Sequence, residues 1–191
     1  MALSPQKKPR YTAEQLKKKK GLIIVHTGDG KGKTSAALGV AFRAAGHGMK
    51  VAVIQFIKGK WKYGELEACR QLQNPIEIYQ MGEGFTWDTK NRDRDVEMVQ
   101  KAWQLCKEKL LSGKYNVVVF DEINYVIDYN YLSLNDVLEA LERKPKMVHV
   151  ILTGRNAKPE LIDLADLVTE MREVKHPFKD QGILAQRGIE F

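Results

Sequence analysis

A chain of 191 residues with 43% hydrophobic and 29% charged side chains has the length and composition of one globular domain, expected over residues 21–191. No apolar run approaches the roughly 18–20 residues that cross a bilayer, which argues against a membrane protein. The formal charge is +7, but the basic N-terminal tail, residues 1–20, carries seven cations and one acid. The rest of the chain is close to neutral, so the sequence argues against a nucleic-acid-binding face.

The cysteines and histidines of the sequence do not form a metal-binding pattern. Cys69 and Cys106 are far apart and form no C-x-x-C pair, so we expect reduced, structural thiols. The four histidines show no metal-ligand spacing. The basic tail has neither the apolar core of a secretory signal nor the composition of an organelle transit peptide, which predicts a cytoplasmic protein.

Apolar, strand-like runs alternate with helical stretches along the chain. The first run, "GLIIVHT" at residues 21–27, is nearly unbroken and β-branched, as in a parallel strand covered on both faces. Further strands are predicted at residues 51–57, 76–80, 115–122, 147–153 and 166–171, and helices at residues 33–45, 63–72, 92–111, 133–143 and 157–164. A long loop is predicted at residues 81–91 and a loosely structured tail at residues 175–191. This order predicts an α/β fold with a doubly wound, mostly parallel sheet flanked by helices, and ligands at the carboxyl ends of its strands.

The first predicted strand leads into "HTGDGKGKT", residues 26–34, which almost matches the phosphate-binding loop pattern G-x-x-x-x-G-K-[ST]. Thr27 stands where the pattern has its first glycine. Gly28, Gly30 and Gly32 allow consecutive backbone N–H groups to point into one concavity, where they bind an anion. The position between a buried strand and an alanine-rich helix favours a phosphate loop over a flexible surface turn.

Lys33 and Thr34 begin the predicted helix, whose positive dipole end lies beneath the loop. The lysine supplies a cation for phosphate oxygens, and the threonine hydroxyl is a ligand for Mg²⁺. Asp121 and Glu122 end the apolar run "VVVFDE", where phosphate-loop proteins have an acid that reaches the metal. The pattern leaves open which of the two acids binds the metal. It predicts Mg²⁺-nucleotide binding without specifying a reaction.

Six motifs occur in the order and spacing of the bacterial CobA-type ATP:corrinoid adenosyltransferases: "TGDGKGKT", "GHG", "QFIKG", "MGEGFTW", "VVVFDE" and "TGR". The chain resembles that family over about residues 20–191. The resemblance implies a P-loop (RecA-like) three-layer fold, with ATP held in the reverse sense so that ribose C5′ is presented for attack. The implied reaction transfers the 5′-deoxyadenosyl group to the Co(I) of a corrinoid and releases triphosphate. Thr27 is then no defect, because the loop has the family's own form.

The resemblance also implies roles for individual residues. Glu122 is the favoured metal ligand of the acid pair, alongside Thr34, with Mn²⁺ as an alternative to Mg²⁺. Asp29 departs from the asparagine that related enzymes often have, which weakens nucleotide binding unless it faces the metal, the ribose or Lys31. The expected nucleotide contacts are Gly28, Asp29, Gly30, Lys31, Gly32, Lys33, Thr34, Ser35, Arg43, Gln55, Lys58 and Arg155.

Phe85 and Trp87 are two positions apart in the glycine-containing loop, so in an extended stretch they point the same way. By resemblance they displace the lower axial ligand of the corrinoid and leave four-coordinate cobalt, which eases the reduction of Co(II). With Lys33 they make up the expected catalytic set, although aromatic residues of such a loop also fold back into a core. A flavodoxin- or flavin-type electron donor and a homodimer are likewise implied by the resemblance.

Two other functions fit parts of the same sequence. An ordinary P-loop kinase or ATPase acts at the γ-phosphate and produces ADP or phosphate. A corrinoid chaperone binds nucleotide and corrinoid without chemistry. The identity of the phosphorus-containing product distinguishes these functions from adenosyl transfer.

Overall fold

The computed structural model describes residues 12–59, 63–71, 76–82 and 92–190, which form an α/β fold around a six-stranded sheet. The strands are β1 Ile23–Thr27, β2 Val51–Gln55, β3 Ile76–Gln80, β4 Val117–Asp121, β5 His149–Thr153 and β6 Leu167–Glu170. The helices are α1 Ala13–Lys17, α2 Lys33–Gly46, α3 Gly64–Gln71, α4 Arg92–Leu111, α5 Ile123–Asp128, α6 Leu134–Glu142, α7 Pro159–Leu164 and α8 Pro177–Gln181. No helix in this part of the chain is both long enough and apolar enough to span a membrane.

The sheet has the strand order β3-β2-β4-β5-β1-β6, and all of these pairs are parallel. Its central strands are apolar on both faces because helices cover both sides, as expected for a parallel sheet. Strand β5 lies between β1, which leads into the phosphate loop, and β4, which ends in the acid pair. The carboxyl ends of these three strands therefore meet at one edge of the sheet.

Alternate residues of β1, β2, β4 and β5 contribute to two separate cores. On one face, α2 packs with its small residues Ala37, Ala41 and Ala44 against the sheet, so this helix lies close to the strands. On the other face, α4 places Trp103 in the core, where its ring meets Phe120 edge-on at 5.9 Å between centroids. The three layers of the expected P-loop fold are therefore present.

The elements predicted from periodicity are confirmed to within a few residues at their ends. Three short helices were not predicted: α1, α5 and α8. Helix α5 has the sequence "INYVID", whose apolar and β-branched residues do not distinguish a buried helical turn from a strand. The predicted strand at residues 115–122 ends one residue earlier, because Glu122 adopts a left-handed conformation with φ 69°.

Candidate active site

The phosphate loop connects β1 to α2 through residues 28–32. Gly28 and Gly32 have φ values of 91° and 105°, which residues with a side chain rarely adopt. Lys33 spans the loop, because its ammonium group donates hydrogen bonds to the carbonyl oxygens of Gly28 at 2.7 Å and Gly30 at 2.6 Å. Burial and the nearby Arg155 lower the pKa of Lys33. The loop therefore presents glycine backbone and a lysine at the N-terminus of a 14-residue helix.

A second segment packs against this loop and explains its glycines in a way the motif does not. A Cβ atom on Gly28 would lie 2.5 Å from the carbonyl oxygen of Met171, and one on Gly30 would lie 2.8 Å from the backbone carbon of Arg172. The N–H of Gly30 donates to the Met171 carbonyl at 2.6 Å. The close approach of the chain after β6 therefore requires glycine at positions 28 and 30, whether or not an anion is bound to the loop.

Thr27, the departure from the P-loop pattern, has a structural role of its own. Its hydroxyl accepts a hydrogen bond from the N–H of Ala157 at 3.1 Å, and the residue is 8% exposed. Ala157 lies in the connection between β5 and α7, two residues after Arg155. A glycine at position 27 would not provide this link between the phosphate loop and the loop that carries Arg155.

Asp121 is the centre of a buried hydrogen-bond network that joins three strands, β2, β4 and β5, with helix α2. It is 0% exposed and accepts hydrogen bonds from Thr34 Oγ1 and Thr153 Oγ1, both at 2.8 Å, and from Gln55 Nε2 at 3.1 Å. Three donors satisfy its two oxygens, as a buried carboxylate requires. The contact with Thr34 brings the first turn of α2 to the end of β4, although β5 separates β1 from β4.

Glu122 differs from Asp121 because one of its oxygens lacks a partner. Its N–H donates to Thr153 Oγ1 at 2.8 Å, but Oε2 is buried without a hydrogen-bond partner among the described residues. Burial and the adjacent Asp121 raise the pKa of Glu122 to about 7. A divalent cation beside Oε2 would supply the missing partner and favour the ionised form.

The described residues contain no cluster of three or more His, Cys, Asp or Glu side chains that could hold a metal ion. One carboxylate and one hydroxyl leave most of the coordination sphere to phosphate oxygens and water, which is the usual manner in which proteins bind Mg²⁺ with nucleotides. Glu122 and Thr34 fit this role.

Lys58 follows β2 in the chain. It therefore provides a cation on one side of the acid pair, while β1 and the phosphate loop lie on the other side. Its ammonium nitrogen lies 2.6 Å from Glu65 Oε1, 4.0 Å from Asp121 Oδ2 and 4.7 Å from the centroid of the Tyr63 ring. Burial alone would lower the pKa of Lys58, but the charges of Asp121 and Glu65 outweigh it and raise the pKa. Lys58 is therefore a fixed positive charge beside the acids.

Asp29 and Arg155 pair across the mouth of the loop. Arg155 Nε lies 3.5 Å from Asp29 Oδ1, and its terminal nitrogen Nη2 donates to the Asp29 carbonyl at 3.4 Å. The Arg155 side chain is 44% exposed and that of Asp29 is 76% exposed, so the pair contributes little to stability. The negative charge that the sequence places in the loop thus faces a cation.

Comparison with known proteins decides what kind of phosphate-loop protein this is. The family model of the ATP:corrinoid adenosyltransferases BtuR/CobO/CobP matches residues 19–191. The chain belongs to this family. A corrinoid adenosyltransferase of Sinorhizobium sp is 51% identical over 174 residues, which cover 90% of this chain and 81% of the relative.

Other relatives give the same result. The corrinoid adenosyltransferases of Pseudomonas aeruginosa and Escherichia coli K12 are each 46% identical, over 93% of this chain and 87% and 89% of their own lengths. Among solved structures, the RadB recombinase covers 83% of this chain and 78% of its own, with a TM-score of 0.47 and 19% identity.

The structure brings most of the residues expected from the adenosyltransferase motifs to one edge of the sheet, but not all of them. Ser35 is exposed in the first turn of α2. Arg43 is exposed in the last turn, about 15 Å along the helix axis from Lys33, so its nucleotide contact stays a prediction. Phe85 and Trp87 lie outside the described residues.

Sequence reasoning missed two side chains that contact the candidate site residues, Thr153 and Glu65. Thr153 belongs to the "TGR" motif, of which only the arginine was selected as a site residue. Its hydroxyl donates to Asp121 and accepts from the N–H of Glu122, so it fixes both acids. Glu65 lies in α3 and holds Lys58. No spacing rule connects either residue with its partner.

Proposed function

We propose that this chain transfers the 5′-deoxyadenosyl group of ATP to the Co(I) centre of a reduced corrinoid and releases triphosphate. The observation that carries the proposal is the hydrogen bond between Thr34 and Asp121, which joins a phosphate loop to an acid pair in a member of the corrinoid adenosyltransferase family. It brings an anion-binding loop and a candidate metal ligand, Glu122, to the same edge of the sheet.

The chemistry places few demands on an acid or base. Co(I) is the nucleophile and carries no proton, so the protein has no proton to remove from it. The cobalt attacks C5′, a Co–C bond forms, and the C5′–O bond breaks with its electron pair passing to the triphosphate. The protein therefore has to stabilise growing negative charge on the leaving group. Lys33, the loop N–H groups and the start of α2 are the groups we assign to this task.

We assign metal binding to Thr34 and Glu122, with Asp121 orienting the threonine hydroxyl. The unpartnered Oε2 of Glu122 supports the assignment, because an ionised carboxylate buried without a partner is costly. Mg²⁺, or Mn²⁺ in its place, would neutralise charge on the triphosphate. The protein's own contribution is to hold two oxygen ligands on adjoining elements.

The remaining nucleotide contacts that we propose differ in how much the structure supports them. Arg155 and Lys58 lie beside the loop and the acid pair, and both are cations placed where a polyphosphate needs them. Lys31 and Asp29 belong to the loop itself, and Gln55 reaches the nucleotide side through its bond to Asp121. Ser35 and Arg43 rest on the resemblance alone.

Several further features of the proposal rest on the family resemblance alone. They are the axial-ligand displacement by Phe85 and Trp87, a flavodoxin- or flavin-type electron donor and a homodimer. A cytoplasmic location is proposed from the composition of the basic tail. We also treat residues 21–191 as one domain and residues 1–20 as its basic appendage. The described part of that appendage includes α1, whose capping box at Thr12 and Gln15 explains why a helix forms among the lysines.

The test is an absorbance assay with ATP, Mg²⁺ and a chemically prepared Co(I) corrinoid, in which adenosylation gives a photolabile Co–C product. Lys33→Ala removes the cation that faces the leaving group, and we expect its rate to fall about 100-fold or more. The matched control is Lys146→Ala, an exposed lysine at the amino end of the sheet. A rate that is the same in both variants would remove Lys33 from the site.

A further inference from the structure

The chain after β6 returns to the phosphate loop and contacts it at two places. We name residues 171–190 the C-terminal strap. At its start, the N–H of Met171 donates to the Thr27 carbonyl at 2.8 Å, and the Met171 carbonyl accepts from Gly30. At its end, Glu190 Oε2 lies 2.6 Å from the ammonium nitrogen of Lys31. The strap therefore begins and ends on the loop that binds the anion.

The contact at the end of the strap is charged and specific. Glu190 is held in a turn, because its N–H donates to the Gln186 carbonyl at 2.9 Å. Its side chain is 22% exposed and that of Lys31 is 52% exposed. The two residues are separated by 159 positions, so the fold and not local sequence brings them together.

Apolar burial contributes little to holding the strap in place. Val174, Leu184 and Ile189 are 80%, 70% and 81% exposed, and α8 has no buried residue. Such a segment can leave the surface at small cost, because few apolar contacts are lost. The polar contacts at its two ends then decide its position.

Lys31 lies between Gly30 and Gly32 in the phosphate loop. A half-exposed ion pair changes an equilibrium by at most about fivefold. A polyphosphate carries several negative charges where Glu190 carries one, so it is the stronger partner for a loop lysine. A carboxylate and a polyphosphate are both anions, so they repel each other beside one ammonium group, and binding of one disfavours the other.

We propose that Lys31 exchanges Glu190 for the polyphosphate of the nucleotide, so that Glu190 competes with ATP and ATP binding releases the end of the strap. This inference rests on the proposed function in one respect, the binding of a polyphosphate at the phosphate loop. It makes Glu190, at the end of the strap, part of the nucleotide site and links strap release to occupation of that site.

The first test measures MgATP affinity by calorimetry at low ionic strength. Glu190→Gln removes the competing charge, and we expect two- to fivefold tighter binding, about the limit for such a pair, with the gain lost at high salt. The matched control is Asp180→Asn, which removes the same charge from the same segment. Asp180 Oδ2 accepts the N–H of His176 at 2.6 Å, and asparagine keeps an acceptor there. We expect the MgATP affinity of this variant to stay within about 1.5-fold of the wild type, since the bond is made within the strap and not to Lys31.

A second variant and a second measurement exclude simpler explanations. In a Lys31→Gln background, Glu190→Gln should add nothing, because the shared partner is gone. Amide hydrogen exchange of residues 182–190 in the wild-type protein should become faster when MgATP is added.

Three results would contradict the proposed replacement of Glu190 by polyphosphate at Lys31. They are equal or weaker MgATP binding by Glu190→Gln, the same gain in the Lys31→Gln background, and slower exchange of residues 182–190 with MgATP. Failure of the wild-type protein to bind MgATP would contradict the proposed function itself. Normal MgATP binding with no effect of Glu190→Gln would contradict only the proposed competition between Glu190 and ATP for Lys31.

Discussion

Thr153→Val tests whether one hydroxyl holds the acid pair in place. The substitution keeps the shape of the side chain and removes a group that donates to Asp121 and accepts from the N–H of Glu122, both at 2.8 Å. Thr153 is 0% exposed, so water cannot replace the lost partner without entering the core. Both acids should lose a contact that fixes their position.

The expected loss of stability follows from these two bonds. A hydrogen bond to a charged carboxylate contributes about 1.5–3 kcal/mol, and a buried N–H left without an acceptor costs about 1–3 kcal/mol. The added methyl group offsets about 1 kcal/mol through apolar burial. We therefore expect Thr153→Val to lower the free energy of unfolding by about 1.5–5 kcal/mol.

Urea unfolding of Thr153→Val and of its control Thr153→Ser measures this difference. Serine keeps the hydroxyl and loses only a methyl group, so it should cost about 1 kcal/mol. If the two variants have the same free energy of unfolding to within about 0.5 kcal/mol, the hydroxyl does not hold the acids and the network around Asp121 is misassigned.

Two further substitutions test other parts of the molecule. Trp87→Ala should slow adenosylation that starts from Co(II) about 10–100-fold more than adenosylation of chemically prepared Co(I), because the residue is assigned to removing an axial ligand; equal losses in the two assays would indicate a binding or folding defect. Asp166→Asn should cost about 1 kcal/mol at pH 7, because the carboxylate pairs with Lys20 and accepts the N–H of Ile23 at 3.0 Å. Those contacts hold the pKa of Asp166 below its ordinary value, so the carboxylate's contribution is present above its unfolded pKa and is lost as pH falls through the folded pKa. Urea unfolding at pH 7 and pH 3 should show a smaller difference between wild type and variant at pH 3, and an unchanged difference would contradict the assignment.

The order of strands and helices was predictable because each central strand is apolar on both faces and α2 and α4 carry clear helical patterns. The grouping of Lys33, Thr34, Asp121 and Glu122 was predictable for a related reason. A loop after one parallel strand and acids at the end of another lie at the same edge of the sheet.

The contacts that join these residues were not predictable from one sequence. Thr153 reaches Asp121 only because β5 inserts between β1 and β4, and the sequence does not encode strand order in a local pattern. The hydroxyl of Thr27 bonds to a loop 130 positions away. Pairs of such separation depend on the packed fold.

The sequence predicts a loosely structured tail at residues 175–191, which make up most of the C-terminal strap, because this stretch lacks a sustained period. The exposed apolar residues of the strap agree with that prediction, whereas the short helix α8 was not predicted. The strap's return to the phosphate loop was missed, because the pairing of Lys31 with Glu190 has no sequence signature.

The fate of the phosphates tests the proposed reaction most directly. The wild-type protein is incubated with ATP, Mg²⁺ and a Co(I) corrinoid, and the phosphorus-containing products are separated by anion-exchange chromatography. We expect inorganic triphosphate in equal amount to the adenosylated corrinoid, because the C5′–O bond is the bond that breaks. ADP and orthophosphate as the products, with no Co–C bond formed, would contradict adenosyl transfer.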